Sequence, residues 1–312
     1  MIKVLSHFDL DGIGCVINIW NAIKNKNNFE YKLTTYNYLD SSLNKLLTKN
    51  TDILWVTDLN FSEEQYENLT NISKSVNVFY IDHHLYQYEI KKSNIFNRID
   101  KRYCGSVNTF FFLSSLSKNK KTFWEDNKEK LVELNKIINI YDLWQKDNPI
   151  FFEKAIPLND LFWEYKFEKF FKKFSNGYIL DDEDLEVIEL KKNEREIYLK
   201  ESYDSFSITD FNTKSLFILN PNHKFNNDYT LYYPDFDFYV IYKGIEKEKI
   251  TFSIRINSRN NFTIVKILEE LKNKNIDFEA GGHEKSGGIV INKNNLDEFI
   301  EKINEIFGEL ND

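Results

Sequence analysis

The chain is short of the residues that staple or interrupt small folds. Its 312 residues include two cysteines, Cys15 and Cys104, too few for a disulfide framework. Four prolines and ten glycines exclude collagen-like and low-complexity architectures. No stretch approaches the roughly 18 uninterrupted apolar residues of a membrane span. The opening Met1-Ile2-Lys3-Val4-Leu5-Ser6-His7-Phe8-Asp9 turns acidic too early for a secretory leader. No membrane partner and a cytoplasmic location are therefore expected. Positive charge is also scarce: 41 Lys and Arg against 49 Asp and Glu leave a net charge of −8. That argues against a protein that coats long nucleic acid, long-duplex DNA included, because such binding needs a basic surplus. It leaves open a short nucleotide substrate held at a metal.

What the chain has is apolar material. It is 42% hydrophobic and 16% aromatic, which excludes disorder and supplies a real core. At roughly 100–200 residues per domain, two domains are expected. Short apolar runs alternate with amphipathic segments through the first 117 residues. Ile2–Ser6, Tyr31–Tyr36, Ile53–Thr57 and Val76–Ile81 read as strands, and Gly12–Lys24, Ser41–Leu47, Ser106–Leu116 and the segment capped by Ser62 as helices. This alternation predicts a doubly wound, mostly parallel sheet. Residues 125–206 read as mostly helical. From Ser207 short strands return at Ser215–Leu219, Asp237–Tyr242, Ile250–Ile256 and Ile289–Ile291, with helices at Thr263–Lys274 and Asn295–Phe307 and a glycine-rich loop near 281. The expected class is thus α/β. A first, sheet-containing domain would occupy residues 1–180, a helical connector 181–210, and a smaller C-terminal α/β domain 211–312.

Histidine occurs at five positions, 7, 83, 84, 223 and 283, and arginine at five, so their placement carries information. His7-Phe8-Asp9-Leu10-Asp11-Gly12 follows the first strand; its acids suit metal binding or helix capping alike. Asp58 ends the third strand, and Asp82-His83-His84 ends the fourth. Asp142 sits among apolar neighbours at a helix end, where a carboxylate is costly unless paired or bound to metal. Three clusters thus fall at the carboxyl ends of parallel strands, the ligand-binding edge of open α/β sheets. Asp and His together suit Mn²⁺ or a similar divalent ion better than structural zinc, which favours thiolates. Six or seven ligands exceed the needs of one ion, so two ions bridged by a carboxylate are expected.

The series His7…Asp9…Asp11, Asp58, Asp82-His83-His84 and Asp142 resembles the four motifs of the DHH phosphoesterase superfamily. Ala280-Gly281-Gly282-His283, with Ile254-Arg255 before it, resembles the Gly-Gly-Gly-His substrate-binding domain of that family, with one glycine fewer. Pro157-Leu158-Asn159-Asp160-Leu161-Phe162 is similar to the bacterial oligoribonuclease (nano-RNase) branch called NrnB.

The resemblance implies two Mn²⁺ ions, one held by His7, Asp9 and Asp58, the other by Asp11, Asp58, His83 and Asp142. It implies that Asp82 orients His83 from behind and that His84 contacts the scissile phosphate or assists the leaving group, or else only supports its neighbours. Arg255, Gly281, Gly282 and His283 would contact substrate. Ser106, with Gly105, would hold a phosphate or simply cap a helix. The expected activity is hydrolysis of very short RNA to nucleoside 5′-monophosphates. Phosphodiesterase action on cyclic or linear dinucleotides, or on cyclic mononucleotides, is the alternative, with RecJ-like DNA exonuclease action behind it. A homodimer is left open. Cys15 and Cys104 lack a neighbouring base and are not expected to act as thiolates; His223 is expected to be a loop residue.

Overall fold

The computed structural model describes residues 1–84, 94–116, 127–203, 207–210, 214–218, 228–257, 262–283 and 285–309. His223 lies outside them. Two compact units divide the chain, Met1–Leu190 and Lys191–Asp312.

In the first unit, β1 (Ile2–His7), β2 (Phe29–Thr34), β3 (Ile53–Thr57), β4 (Asn77–Asp82) and β5 (Phe96–Ile99) form one sheet in the order β2-β1-β3-β4-β5. Every neighbouring pair is parallel. Val4, Leu5, Leu54, Val56, Val78, Tyr80 and Ile81 are wholly buried, as befits strands covered on both faces. The helices are α1 (Leu10–Ala22), α2 (Leu39–Leu46), α3 (Glu63–Ile72), α4 (Gly105–Leu116), α5 (Lys128–Asp142) and α6 (Ile156–Phe174). Helix α1 is buried nearly all round because it lies on the sheet beneath α4, α5 and α6. Ser62 caps α3 as expected, in a reciprocal box with Gln65. Strand β5 escapes the sequence pattern. It is an edge strand whose Asn97 and Arg98 break any apolar run.

Helix α7 (Asp182–Tyr203) runs across the boundary between the units. Its start is fastened to the first unit. The Asp181 and Asp184 carboxylates accept from each other's amide N–H at 3.1 and 2.8 Å. The fully buried Asp184 also accepts from the Tyr165 hydroxyl at 2.8 Å and pairs with Lys173 at 3.0 Å.

The second unit has β6 (Ser207–Asp210), β7 (Lys214–Ile218), α8 (Tyr229–Tyr232), β8 (Phe238–Glu246), β9 (Lys249–Ile256), α9 (Ile264–Asn273), β10 (Phe278–His283), β11 (Ser286–Asn292) and α10 (Leu296–Glu309). Its sheet runs β10-β11-β9-β8-β7-β6 and is antiparallel except between β7 and β8. Ile264, Ile267 and Leu271 of α9 and Phe299, Ile303 and Ile306 of α10, at helical spacing, pack on it as one core. The glycine-rich segment expected as a loop is instead a hairpin. Gly281 pairs with Gly288 and Gly282 with Gly287 across β10 and β11. Glycine has low strand propensity alone; here two glycine pairs face one another in a ladder that a neighbouring strand, β9, extends.

Candidate metal centre

The site is built where β1, β3 and β4 end. In an extended chain, alternate side chains share a face, so His7 and Asp9 converge, with His7 Nδ1 and Asp9 Oδ2 at 2.6 Å. Asp9 is also the N-cap of α1, its other oxygen accepting from the Gly12 amide at 2.9 Å. The capping and ligand readings of this acid are therefore compatible. Gly12 is required: a Cβ there would stand 2.0 Å from the His7 carbonyl oxygen.

Asp11, in the first turn of α1, is buried, and its carboxylate faces the first turn of α4. The Gly105 and Ser106 amides donate to its two oxygens at 2.6 and 2.8 Å. The amides read from the sequence as a phosphate cradle or a helix cap thus meet Asp11 in this structure. Ser106 is fully buried and its amide is already engaged. The positive end of α4 is spent on a carboxylate of the chain itself. The turn is fixed in turn by Asn18, whose amide donates to the Ser106 carbonyl at 2.9 Å and to Asn135 Oδ1 at 2.8 Å.

Asp58 follows β3 with φ 54°, a left-handed conformation that aspartate tolerates better than most residues. Its Oδ1 lies 3.2 Å from His83 Nε2. His83 Nε2 is also 3.8 Å from Asp11 Oδ2 and 3.7 Å from Asp142 Oδ2, at the last residue of α5. Two groups of donor atoms result, each within 4.8 Å: His7, Asp9 and Asp58, and Asp11, His83 and Asp142. A third combines Asp58, Asp82, His83 and His84.

The hydrogen bond of Asp82 differs from expectation. Among the described residues it goes to His84 Nδ1, at 2.7 Å, rather than to His83. Beyond the end of β4 the chain turns, and the His83 and His84 rings lie together with centroids 4.5 Å apart. Tyr36, which no sequence signal marks, sets its ring 5.2 Å from that of His7. Phe8, between the two ligands, is held by the rings of Phe162, Trp163 and Phe167 on α6.

The electrostatics call for a cation. Burial, with the Asp11 and Asp9 charges beside them, pushes the Asp58 and Asp142 carboxyls well above the ordinary range. Among the described residues, Asp58 Oδ2 and Asp142 Oδ2 are buried without a hydrogen-bond donor. Burial alone would lower His7, but Asp9 outweighs it and holds the imidazole above its usual value. Burial would likewise raise Asp9, and its pairing with His7 instead holds it far below the carboxylate range. Burial depresses His83, favouring the neutral imidazole that ligates metal. For His84 burial is outweighed by Asp82, and its pKa is raised. Hard oxygen donors, neutral imidazole and orphaned carboxylate oxygens fit divalent ions. Both cysteines are buried, and burial next to Asp11 raises their thiols well above the usual value, which keeps them out of nucleophilic chemistry.

In the second unit, the register sets Arg255 of β9, Ser286 of β11 and His283 of β10 side by side in one row. Gly281 and Gly282 precede His283 on β10; of these three residues only the backbone is described.

The profile described as the DHH family, N-terminal domain, matches residues 1–137, and that of the DHHA1 domain matches residues 233–309. No curated protein matches the chain. Among solved structures, the DHH domain of a member of a ribosomal-protein family aligns over 98% of this chain and 86% of its own, at 14% identity and a TM-score of 0.72. RecJ from Thermus thermophilus in complex with Mn²⁺ aligns over 99% of this chain but 52% of its own, at 12% identity and a TM-score of 0.68. An exonuclease RecJ bound to manganese aligns over 98% and 89%, at 12% identity and a TM-score of 0.58. At these identities the likeness concerns the fold. Both profiles fall on the two units and the first spans every proposed ligand but Asp142; the chain thus joins a DHH-family N-terminal domain to a DHHA1 domain.

Proposed function

We propose that the protein is a Mn²⁺-dependent phosphodiesterase that hydrolyses very short RNA to nucleoside 5′-monophosphates, in the manner of the NrnB nano-RNases. The observation that carries this reading is the pair of donor groups, His7–Asp9–Asp58 and Asp11–His83–Asp142, joined by the contact of Asp58 with His83. Two divalent ions would be held there, with Asp58 shared. When bound, such ions supply positive charge to the phosphoryl oxygens and lower the pKa of water. The remaining work belongs to the chain. The α4 amides fix Asp11, the Gly12 amide and His7 fix Asp9, and the left-handed turn at Asp58 aims its carboxylate at both groups. Asp82 holds His84 by Nδ1 and orients the ring, which is the proposed contact to a phosphate oxygen or the leaving group. The preference for short substrate is supported by the acidic balance of the chain, which offers few cations for a long phosphate backbone. Arg255 and His283 are the proposed contacts to the substrate chain.

The test is product analysis with purified protein, Mn²⁺ and end-labelled RNA and DNA of two to ten nucleotides, with cyclic dinucleotides in parallel. Mononucleotides accumulating fastest from the shortest RNA support the proposal. Preference for cyclic dinucleotides or for long DNA replaces it. Chelator should abolish turnover and Mn²⁺ restore it. Asp58→Asn should lower kcat by at least about 10²-fold, the order expected when a charge-stabilising group is lost; wild-type rates would remove Asp58 from the mechanism.

A further inference from the structure

Beside the ligand cluster, at the β2 edge of the first unit, the surface holds a depression of about 320 Å³. Phe8, between His7 and Asp9 in the chain, forms one wall, and Tyr38 forms another. Lys32 of β2 and Lys45 in the last turn of α2 complete the rim with Ser41. Among the described residues neither lysine has a carboxylate partner. In a chain of net charge −8, two uncompensated cations in one concavity stand out. Tyr38 is 62% exposed, so its ring is open to a ligand. The walls are preformed: the Phe8 amide donates to the Thr34 carbonyl at 2.9 Å, and Thr34 Oγ1 donates to Ser42 Oγ at 2.9 Å, tying β2 to α2.

Aromatic walls and paired ammonium groups have one natural ligand in common. A nucleobase offers a π-face for stacking, and its phosphate offers the negative charge. Inorganic phosphate would have no use for the rings, and an apolar ligand none for the lysines. We propose that this depression is a nucleotide subsite, taking one nucleotide of a single strand with its base against Phe8 and Tyr38 and its phosphate at Lys32 and Lys45. The inference rests on the oligonucleotide reading above, and names where the catalytic unit grips the substrate outside the scissile linkage.

Two measurements on the full-length protein test it. In the first, metal-free protein is titrated with 5′-AMP and with inorganic phosphate by calorimetry. The subsite predicts that 5′-AMP binds more tightly than phosphate. It also predicts that the Lys32→Ala/Lys45→Ala double variant and Tyr38→Ala each weaken 5′-AMP binding about tenfold, while Tyr38→Phe restores it. Equal 5′-AMP affinity in wild-type and both variants, with melting temperatures unchanged, overturns the subsite. In the second, KM is compared for a trinucleotide and for bis(p-nitrophenyl) phosphate, which is too small to reach both places. The double variant should raise KM for the trinucleotide at least about tenfold more than for the small diester; equal changes overturn the proposal. If the enzyme turns over cyclic dinucleotides and no linear chain, the oligonucleotide reading fails, and 5′-AMP binding still decides the subsite.

Discussion

A Cβ at residue 105 would stand 2.8 Å from Asp11 Oδ2 and 2.9 Å from Asp58 Cβ. Gly105→Ala must therefore push one of two candidate ligands out of place. Groups that orient metal ligands typically cost 10–100-fold in affinity when changed, so Mn²⁺ binding measured by calorimetry should weaken by about that factor while the circular dichroism stays native. Unchanged affinity would mean that the α4 turn does not set the ligand geometry. A pH dependence follows from the same crowding. Burial beside Asp11 and Asp9 keeps protons on Asp58 and Asp142 to higher pH than usual, and Asp9 does so for His7 against the effect of burial. A cation must displace those protons, so apparent Mn²⁺ affinity should fall as pH drops from 8 to 6. Calorimetry in two buffers of different ionisation heat should read net proton release; none would refute the assignment. That His7, Asp9, Asp58 and His83 converge is legible in the sequence, because each lies at or just beyond the end of an apolar strand and parallel sheets gather such ends along one edge, whereas Asp142 ends helix α5. The role of Gly105 is not, because its partner Asp11 lies 94 positions away. Nor is the partner of Asp82, which depends on how the chain turns after β4.

At the scale of elements, the strands and helices of the first unit can be read because buried parallel strands are apolar throughout. The exceptions have physical causes. β5 is short, polar and at an edge, and β10 is hidden by glycines whose ladder partners, Gly287 and Gly288, are themselves glycines. The start of α7 depends on tertiary contacts of Asp184 with Tyr165 and Lys173 that no local pattern announces. Asp184→Ala would leave the Tyr165 hydroxyl and the Asp181 amide without their acceptor and Lys173 without one of its two carboxylates. Losing such a buried acceptor costs roughly 2–4 kcal/mol, readable as a lower urea midpoint. A midpoint within error of wild type would show that this anchor is dispensable.

Over the whole molecule, a parallel sheet unit followed by a smaller sheet unit could be anticipated from the change in strand spacing after the long helices. No described helix is long and apolar enough to cross a membrane. The acidic balance of the chain has a kinetic corollary. Each phosphate neutralised by a side chain adds about 0.7 to the salt slope on a single strand. With a substrate of two or three phosphates, log(kcat/KM) should fall with log[salt] at a slope shallower than about −2. A slope near about −5 would mean that a long backbone is being tracked after all. The left-handed backbone at Asp58 also reaches beyond this one protein. Asparagine and glycine are the residues that sit there most easily in place of aspartate. A descendant that kept the architecture but abandoned hydrolysis would drift to one of those two at this position, leaving a readable scar of lost chemistry.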